Sequence, residues 1–567
     1  MDREFQIETA LIYAGAFAST EGRYMLQSLR SQWKRGAHSL SRRELFRRSA
    51  LLTLPALFRG NTASAATAAE APAAADGLRV GQDIYQSIGV RPVINARGTF
   101  TIISGSRMLP EVRAAMDAAA QHHVHIDELM AAIGGRLAEL TKAEWGMVSS
   151  GCSAALTHAT AACVAGGNPD LHVRIPHLDG FPKDEVIIPT HSRNVYDAAV
   201  RSIGVRIVEV STADELEAAF GPRTAMIYIF AGPQADKGPL STQAIAGMAN
   251  QRRVPVLVDA AAEVLTVPNV HLQNGATLVA YSGGKCIRGP QTAGLLLGRK
   301  DLVQAAWVHS APHHGFGRSM KVGKEEAVAM LMAVEMWMKR DHTAESARWL
   351  SWLDTIAKQV STVDGVTTSV TETTELSNRT PSLVIQWDPK RPGITGAAAA
   401  RLLLEGEPRI ATPGGRDRDG QTSISITPYM MAAGEEKIVA ERIHAILSNP
   451  PKQDAPARTA APAVDLTGQW DVRIEYAANT SSHTLHVKQE GNRLEGTHQG
   501  DFVSRDLAGT IDGNNVQLGS SVTERHGDAL SFRFNGTATA DAMSGTLDMG
   551  EYLTAKWSAK RHDYRRG

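Results

Sequence analysis

From residue 83 onward, short apolar runs alternate with segments of helical periodicity. The apolar runs cover residues 186–189, 206–210, 225–230, 254–258 and 278–281. Strands that are apolar on both faces are typical of a mainly parallel sheet covered by helices. In such a sheet, ligands bind beyond the carboxyl ends of the strands. The pattern therefore predicts an α/β domain whose functional site is built from the residues that directly follow these runs.

Three residues that follow these runs have side chains suited to chemistry. Asp259 and His191 come after two of the runs, and Lys285 closes the segment Ser282-Gly283-Gly284-Lys285 after a third. A lysine amine can hold an aldehyde cofactor as a Schiff base, and a carboxylate can keep a pyridine nitrogen protonated. An imidazole such as that of His191 could stack on the ring. Taken alone, a lysine after two glycines is more often a solvated turn residue, but together the three residues predict a site for pyridoxal phosphate.

A phosphate-binding segment is the third requirement of that cofactor. Residues 147–155 read Met-Val-Ser-Ser-Gly-Cys-Ser-Ala-Ala, so hydroxyls and a glycine precede an alanine-rich helical stretch. Backbone N–H groups at the start of a helix favour an anion. An ordinary serine N-cap is the alternative interpretation. The position of this segment ahead of Asp259 and Lys285 favours the phosphate site.

With these elements in this order, the sequence resembles the fold-type I pyridoxal phosphate enzymes, and within them the selenocysteine synthase-like branch. The resemblance runs from about residue 84 to residue 447, and its most specific segments are residues 93–99, 282–294 and 317–326. This branch includes the bacterial L-seryl-tRNA(Sec) selenium transferases and proteins similar to D-glucosaminate-6-phosphate ammonia lyase. The resemblance implies a large domain at residues 83–340, with a mainly parallel sheet, and a small α+β lobe at residues 341–449.

Carried over residue by residue, the resemblance assigns the cofactor contacts. Lys285 would form the Schiff base and Asp259 would face the pyridinium nitrogen, with His191 as the third catalytic residue. The expected phosphate contacts are Ser150, Gly151, Cys152 and Ser282. The candidates for substrate contacts are Asn95, Arg288, Arg318 and Arg409, of which Arg409 is favoured because a guanidinium matches a carboxylate with two hydrogen bonds.

The implied activity begins with removal of an alpha proton by the freed Lys285 amine, while the ring held by Asp259 stores the charge. Beta-elimination or beta-replacement on an amino acid or amino-sugar acid would follow, as in an ammonia lyase or a selenium transferase. A racemase or an aminotransferase starts with the same proton removal and stays open. A third alternative is a catalytically inactive envelope protein that binds through its C-terminal domain.

The N-terminal region indicates export. Residues 41–47 read Ser-Arg-Arg-Glu-Leu-Phe-Arg and precede an apolar run at 50–58 and the small residues at 63–65. This pattern is typical of a twin-arginine signal over residues 1–65, followed by an alanine-rich linker at 66–82. The apolar run falls short of the roughly 20 residues that span a bilayer. We therefore expect a periplasmic or otherwise exported protein that engages the twin-arginine export machinery and has no stable membrane span.

Charge and composition limit the partners. The 59 basic and 59 acidic side chains of the chain balance, but residues 1–65 carry 10 basic and 5 acidic ones, so the remainder has a net charge of −5. Tight binding of nucleic acid usually needs a basic surface, so an RNA substrate is not expected. The histidines near 121–125 and 309–314 lack a recognised metal-ligand spacing, and no metal is predicted. By analogy with the fold, we expect a homodimer or a larger homo-oligomer.

The C-terminal region has a different pattern. Residues 450–464 form a proline- and alanine-rich linker. Residues 465–562 then show apolar–polar alternation broken by turn signals at hairpin intervals, which predicts a small antiparallel barrel or sandwich. The opening Gly468-Gln469-Trp470 resembles the Gly-x-Trp of lipocalin-like barrels. A structural or docking role is the simpler expectation for this domain.

Overall fold

The computed structural model describes residues 77–451, 459–524 and 529–564. The predicted signal region, the alanine-rich linker up to residue 76 and residues 452–458 of the second linker lie outside the described residues. One compact unit takes in residues 81–86 and the chain from residue 90 onward. In the other unit, the described residues 77–80 are exposed and have no regular structure. No helix in the described ranges combines the length and the apolar character needed to cross a membrane.

The large domain alternates strands and helices. Its elements are β1 (Val93–Asn95), α1 (Pro110–Ala120), α2 (Ile126–Thr141), β2 (Trp145–Ser149), α3 (Gly151–Ala165), α4 (Pro169–His172), β3 (Glu185–Pro189), α5 (Ala198–Arg201), β4 (Arg206–Val210), α6 (Ala213–Ala219), β5 (Thr224–Phe230), α7 (Thr242–Gln251), β6 (Val256–Asp259), α8 (Val270–Gln273), β7 (Leu278–Ser282), β8 (Gly294–Gly298), α9 (Lys300–Val308) and α10 (Lys324–Lys339).

Seven of these strands form one sheet in the order β2-β8-β7-β6-β5-β3-β4. The pairs from β7 to β4 are parallel, and β8 runs antiparallel to both of its neighbours. Strands β3, β6 and β8 are buried along their whole length, which is why their sequences are almost entirely apolar. The predicted α/β large domain with a mainly parallel sheet is confirmed.

The small lobe has its own sheet and core. Its elements are α11 (His342–Val360), β9 (Val366–Thr371), β10 (Ser382–Trp387), α12 (Gly396–Glu405), β11 (Arg409–Ala411), β12 (Arg416–Arg418), β13 (Gln421–Ile426) and α13 (Glu435–Ser448). Strands β12, β13, β10 and β9 form an antiparallel sheet, and β11 pairs in parallel with β1 from the start of the large domain. A separate apolar cluster around the buried Trp387 stabilises this lobe.

The C-terminal domain is a closed barrel of eight antiparallel strands, which decides between the predicted barrel and sandwich. The strands are β14 (Gly468–Glu475), β15 (Thr480–Glu490), β16 (Arg493–Gln499), β17 (Ser504–Asp512), β18 (Asn515–Thr523), β19 (Ala529–Ala538), β20 (Ala542–Asp548) and β21 (Thr554–Arg561). Buried and exposed residues alternate along them, so one face of each strand lines the interior. Trp470 lies fully buried at one end of the barrel, beneath the guanidinium of Arg561.

Candidate active site

The predicted site residues lie at one edge of the seven-stranded sheet. Asp259 is the last residue of β6 and pairs with Ala280 of β7. Ser282, the last residue of β7, pairs with Gly294, which in turn pairs with Ser149 at the end of β2. The carboxyl ends of β2, β6 and β7 therefore meet at the edge where ligands bind in this type of sheet.

Asp259 is a buried carboxylate held by three donors. It is 2% exposed. Its Oδ2 accepts a hydrogen bond from the Tyr228 hydroxyl at 3.0 Å, and its Oδ1 accepts from the Ala261 N–H at 3.1 Å and from the Cys152 thiol at 3.6 Å. Burial raises the pKa of Asp259, while the N–H of Ala261, the Tyr228 hydroxyl and the positive charge of Lys285 lower it. A cation placed beside this carboxylate, such as a protonated pyridine nitrogen, would complete the pairing of a buried charge.

Sequence reasoning missed Tyr228 and Asn194, which hold that carboxylate. Tyr228 is fully buried on β5, and Asn194 Nδ2 donates to its hydroxyl at 3.3 Å and to the Ser192 carbonyl at 2.8 Å. Burial and the charge of Asp259 raise the pKa of Tyr228, so its hydroxyl remains a donor. One signal could have revealed it, because a tyrosine in a fully buried strand must find a partner for its hydroxyl.

Lys285 is set by a tight turn after β7. A side chain at Gly283 would approach the Ala293 carbonyl to 2.7 Å, and one at Gly284 would approach the Gln291 Cα to 2.7 Å. Glycine is therefore required at both positions. Lys285 is partly exposed beyond this turn, and its charge acts on both Asp259 and Cys152. The turn thus places an accessible amine within electrostatic range of the buried carboxylate.

The predicted phosphate cup lies at the start of α3. Ser150 is the N-cap of this 15-residue helix, but its side chain makes no capping hydrogen bond. Gly151 has a φ of +86°, and a Cβ at Gly294 would overlap the backbone of Gly151. The cradle therefore exists because two glycines meet there. The free N–H groups of the helix, together with the half-buried Ser150 hydroxyl, fit a phosphate group. The Cys152 thiol points instead toward Asp259, which leaves its backbone N–H as its contribution to the cup.

His191 follows β3 in a short 3-10 turn, Thr190–Ser192. Its Nε2 is buried and has no hydrogen-bond partner within the described part of the chain. Burial lowers the pKa of His191, so the imidazole is neutral at pH 7. A neutral ring with one unpaired nitrogen is suited to stacking on a planar cofactor or to accepting a proton.

The candidates for substrate contacts differ in whether other groups of the protein already bind their side chains. Asn95 is occupied by its own turn, since its Oδ1 accepts from the N–H groups of Arg97 and Gly98. Arg409 donates through Nε to the Leu404 carbonyl at 2.8 Å. Arg288 donates through Nε to the Arg107 carbonyl at 2.8 Å, and burial lowers its pKa to about 10.

Arg318 is exposed, whereas Arg97, which sequence reasoning did not select, has a buried Nε without a partner among the described residues. The loop that contains Arg97 reaches the Lys285 turn, because the N–H of Ser106 donates to the Gly284 carbonyl at 2.9 Å. Among these arginines, Arg97 is therefore a new candidate for a substrate carboxylate.

Comparison with known proteins agrees with this geometry. No model of a known protein family matches the chain. The D-glucosaminate-6-phosphate ammonia lyase of Salmonella typhimurium is 30% identical over 373 residues, which are 64% of this chain and 98% of that protein. A 5'-C-glycyluridine monooxygenase-decarboxylase from a Streptomyces species is 30% identical over 64% of this chain and 92% of its own length. An L-seryl-tRNA(Sec) selenium transferase of Moorella thermoacetica is 26% identical over 47% of this chain and 59% of its own length.

A solved structure of D-glucosaminate-6-phosphate ammonia-lyase superposes with a TM-score of 0.57, covering 64% of this chain and 98% of that one. The fold and the site define the class: a pyridoxal phosphate enzyme of fold type I, whose cofactor is pyridoxal 5'-phosphate. More narrowly, the chain belongs to the selenocysteine synthase-like family that includes D-glucosaminate-6-phosphate ammonia lyase, as the sequence predicted.

Proposed function

We propose that this protein removes the alpha proton of a small substrate with an amino group and then expels or replaces a group at the beta carbon. The observation that carries the proposal is the buried Asp259, fixed by three donors at the sheet edge that also presents Lys285. The substrate is an amino acid or an amino-sugar acid. The ammonia-lyase relative, with 98% of its length matched, supports elimination as the principal reaction.

Each residue has one task in this proposal. The bound cofactor supplies an electron-accepting ring conjugated to the substrate nitrogen. Asp259 keeps the ring nitrogen protonated, and Ser150, Gly151 and Ser282 hold the phosphate. Lys285, once released by the incoming substrate, accepts the alpha proton on Nζ. His191 covers the ring and excludes water from that face.

Substrate recognition requires a cation for the carboxylate. Arg97 is a candidate for this role because its buried Nε has no partner among the described residues. Arg288 is a candidate because burial disfavours the charged form of its guanidinium and lowers its pKa. Either residue would gain a partner when a carboxylate binds. Arg409 stays a prediction, although its Nε already donates to a backbone carbonyl.

Two other reactions compete with elimination. Racemisation or amino transfer would begin with the same proton removal, and a relative with equal identity is a monooxygenase-decarboxylase. The proposal also includes export by the twin-arginine route to the periplasm and assembly as a homodimer or larger oligomer. An exported enzyme would meet amino acids and amino-sugar acids more readily than a tRNA or a cytosolic sugar phosphate. A catalytically inactive binding protein is the alternative of another class.

The first experiment tests the cofactor lysine. The purified protein without residues 1–65 is incubated with pyridoxal phosphate, beside Lys285→Ala and the matched control Lys321→Ala, whose side chain is exposed. We expect a visible absorption band that borohydride removes in the parent and in Lys321→Ala and that is absent from Lys285→Ala. No band in any of the three proteins would exclude the enzyme and leave the binding protein.

The second experiment identifies the reaction. Amino acids and amino-sugar acids are screened for exchange of the alpha proton with solvent deuterium, ammonia release and oxygen uptake. Exchange with ammonia and a 2-oxo acid supports elimination. Exchange with inversion and no ammonia would establish a racemase, and oxygen uptake with carbon dioxide release would establish an oxidative decarboxylase. Exchange with none of the screened compounds would contradict the proposed substrate class.

A further inference from the structure

The loop after β3, residues 190–197, contains His191 and leads to the carboxylate of Asp259. Asn194 of this loop is half-buried. Its Nδ2 lies 3.3 Å from the Tyr228 hydroxyl, and that hydroxyl lies 3.0 Å from Asp259 Oδ2. Strands β3, β5 and β6 are neighbours in the sheet, so this chain of contacts crosses from the end of β3 to the end of β6. The direction in which its hydrogen atoms point decides what it does to Asp259.

The orientation of the Asn194 amide is fixed by backbone groups. Asn194 is the N-cap of a short 3-10 turn, Val195–Asp197, and its Oδ1 accepts from the Tyr196 N–H at 2.8 Å. Its Nδ2 donates to the Ser192 carbonyl at 2.8 Å. A backbone N–H can only donate and a carbonyl can only accept, so the amide fits this position in one orientation. The atom that faces the Tyr228 hydroxyl is therefore the amide nitrogen.

This orientation sets the direction of the Tyr228 hydroxyl. Asn194 Nδ2 donates to the hydroxyl oxygen, so the single hydrogen of the hydroxyl is directed to Asp259 Oδ2. A donor fixed in this direction favours the ionised carboxylate, because a proton on Oδ2 would place a second hydrogen against it. The hydrogen bonds therefore run one way, from Asn194 through Tyr228 to Asp259.

The loop is anchored by a buried network of ion pairs. Asp197 is fully buried, and its two oxygens accept from Arg193 Nε at 2.6 Å and from Arg201 Nε at 2.7 Å. Arg193 also pairs with Glu209 on β4. Separating the members of such a network would leave an uncompensated buried charge, which is strongly unfavourable. Asn194 is thus held on a fixed support.

We propose that Asn194 is a positioning residue for the reaction, because its amide directs the Tyr228 hydroxyl to donate to Asp259. This role rests on the proposed function, in which Asp259 pairs with the ring nitrogen of pyridoxal phosphate. The titratable groups that face Asp259 from neighbouring elements are Tyr228 on β5, the Cys152 thiol on α3 and Lys285 after β7. Burial raises the pKa of Asp259, and the Tyr228 hydroxyl and the charge of Lys285 lower it. Loss of the Tyr228 donor should therefore raise that pKa further.

The experiment changes the amide in two ways. Asn194→Asp keeps the capping oxygen, because Asp caps a helical turn as well as Asn does, but it turns the donor into an acceptor. Asn194→Ser also keeps a cap and adds no charge, and its shorter side chain withdraws the donor from the Tyr228 hydroxyl. Both replacements are also made in a Tyr228→Phe background, in which the hydroxyl is absent.

Asn269→Asp is the matched control, because Asn269 has the same arrangement elsewhere in the domain. It is the N-cap of α8, and its Oδ1 accepts from the N–H groups of His271 and Leu272. Its Nδ2 donates to the hydroxyl of the buried Tyr281 at 2.7 Å. The replacement exchanges the same donor for an acceptor, but the hydroxyl that it affects is not the partner of Asp259.

The affinity for pyridoxal phosphate is measured by equilibrium dialysis at a series of pH values, beside the visible band and the melting temperature of the cofactor-free protein. We expect Asn194→Asp to move the acid limb of cofactor binding upward by about one to two pH units, the shift that corresponds to a hydrogen bond to a charged group. Asn194→Ser should move it in the same direction by a smaller amount, and Asn269→Asp should leave it in place. Both shifts should be largely lost in the Tyr228→Phe background, because the amide then has no hydroxyl to direct.

The proposal is overturned if the acid limb of both Asn194 variants coincides with that of the parent, or if Asn269→Asp moves it equally. If Asn194→Asp does not fold, the result for Asn194→Ser decides. Equal shifts with and without the Tyr228 hydroxyl would also overturn it, because residue 194 would then act on Asp259 by another route. A parent that forms no visible band would refute the proposed function itself, whereas a band with an unmoved acid limb refutes only the role of Asn194.

Discussion

Removing the Tyr228 hydroxyl should lower the affinity of the site for pyridoxal phosphate. In Tyr228→Phe, the ring stays in the buried strand β5, and the variant loses the hydrogen bond to Asp259 Oδ2, 3.0 Å long, together with the longer one that the hydroxyl accepts from Asn194 at 3.3 Å. A hydrogen bond to a charged group contributes about 1.5–3 kcal/mol. If Asp259 pairs with the ring nitrogen, the loss should weaken pyridoxal phosphate binding by roughly 10- to 100-fold, since each 1.4 kcal/mol is a factor of ten.

The variant should also be more sensitive to acid. The Tyr228 hydroxyl lowers the pKa of Asp259 because it stabilises the carboxylate. Without that donor, the protonated acid forms at a higher pH, so the acid limb of the activity profile should move upward. Cofactor affinity is measured by equilibrium dialysis, and the pH profile by the visible band and by alpha-proton exchange.

Tyr281→Phe is the matched control for this experiment. Tyr281 is a second buried tyrosine, on the neighbouring strand β7, and its hydroxyl accepts a hydrogen bond from Asn269 at 2.7 Å. Its replacement should lower the free energy of unfolding by about 1 kcal/mol and leave the acid limb in place. Equal shifts of the acid limb in both variants, or no shift in Tyr228→Phe, would refute the role given to Tyr228.

Three further predictions follow from the same domain. Gly294→Ala should lose cofactor binding and at least about 1–3 kcal/mol of stability, measured by urea unfolding, because the new methyl group overlaps the backbone of Gly151. Ser150→Ala should weaken cofactor binding by about tenfold or more at an unchanged melting temperature, because its hydroxyl makes no capping bond. His158 and His309 should make the fold sensitive to acid, because burial lowers the pKa of each from 6.5 to about 4. Below pH 6.5 the unfolded chain then binds protons that the folded chain does not. The free energy of unfolding should therefore fall between pH 6.5 and pH 4 by at most about 3 kcal/mol per histidine. A free energy of unfolding, measured with urea, that stays constant over this range would contradict the prediction.

Much of the fold and the positions of the main site residues could be predicted from local sequence. The fully buried strands are apolar from end to end, so the polar residues after them mark the sheet edge. Asp259 and Lys285 stand out for that reason, and the paired glycines before Lys285 indicate the tight turn. Alternating residues after position 465 indicate the antiparallel domain, but the choice between barrel and sandwich depends on whether β21 pairs with β14, which are far apart in sequence.

The remaining features depend on contacts across the fold. In the sequence, Tyr228 resembles any other core residue of β5. Its hydrogen bond to Asp259 becomes evident only when β5 and β6 are placed side by side in the sheet. Asn95 and Arg409 have suitable chemistry, but local backbone groups occupy their side chains. Arg505 looks like an ordinary polar residue in an alternating strand, and its burial is evident only after the barrel closes.

The way the barrel closes also determines where its chain enters and leaves. Trp470, near the start of β14, pairs with Arg561 at the end of β21, so the first and last strands lie side by side in opposite directions. A domain whose two ends are neighbours can be joined to another protein at a single point without opening its sheet. Such a unit can be gained, lost or exchanged as one cassette. The relative that matches this chain over 98% of its own length accounts for only 64% of this chain.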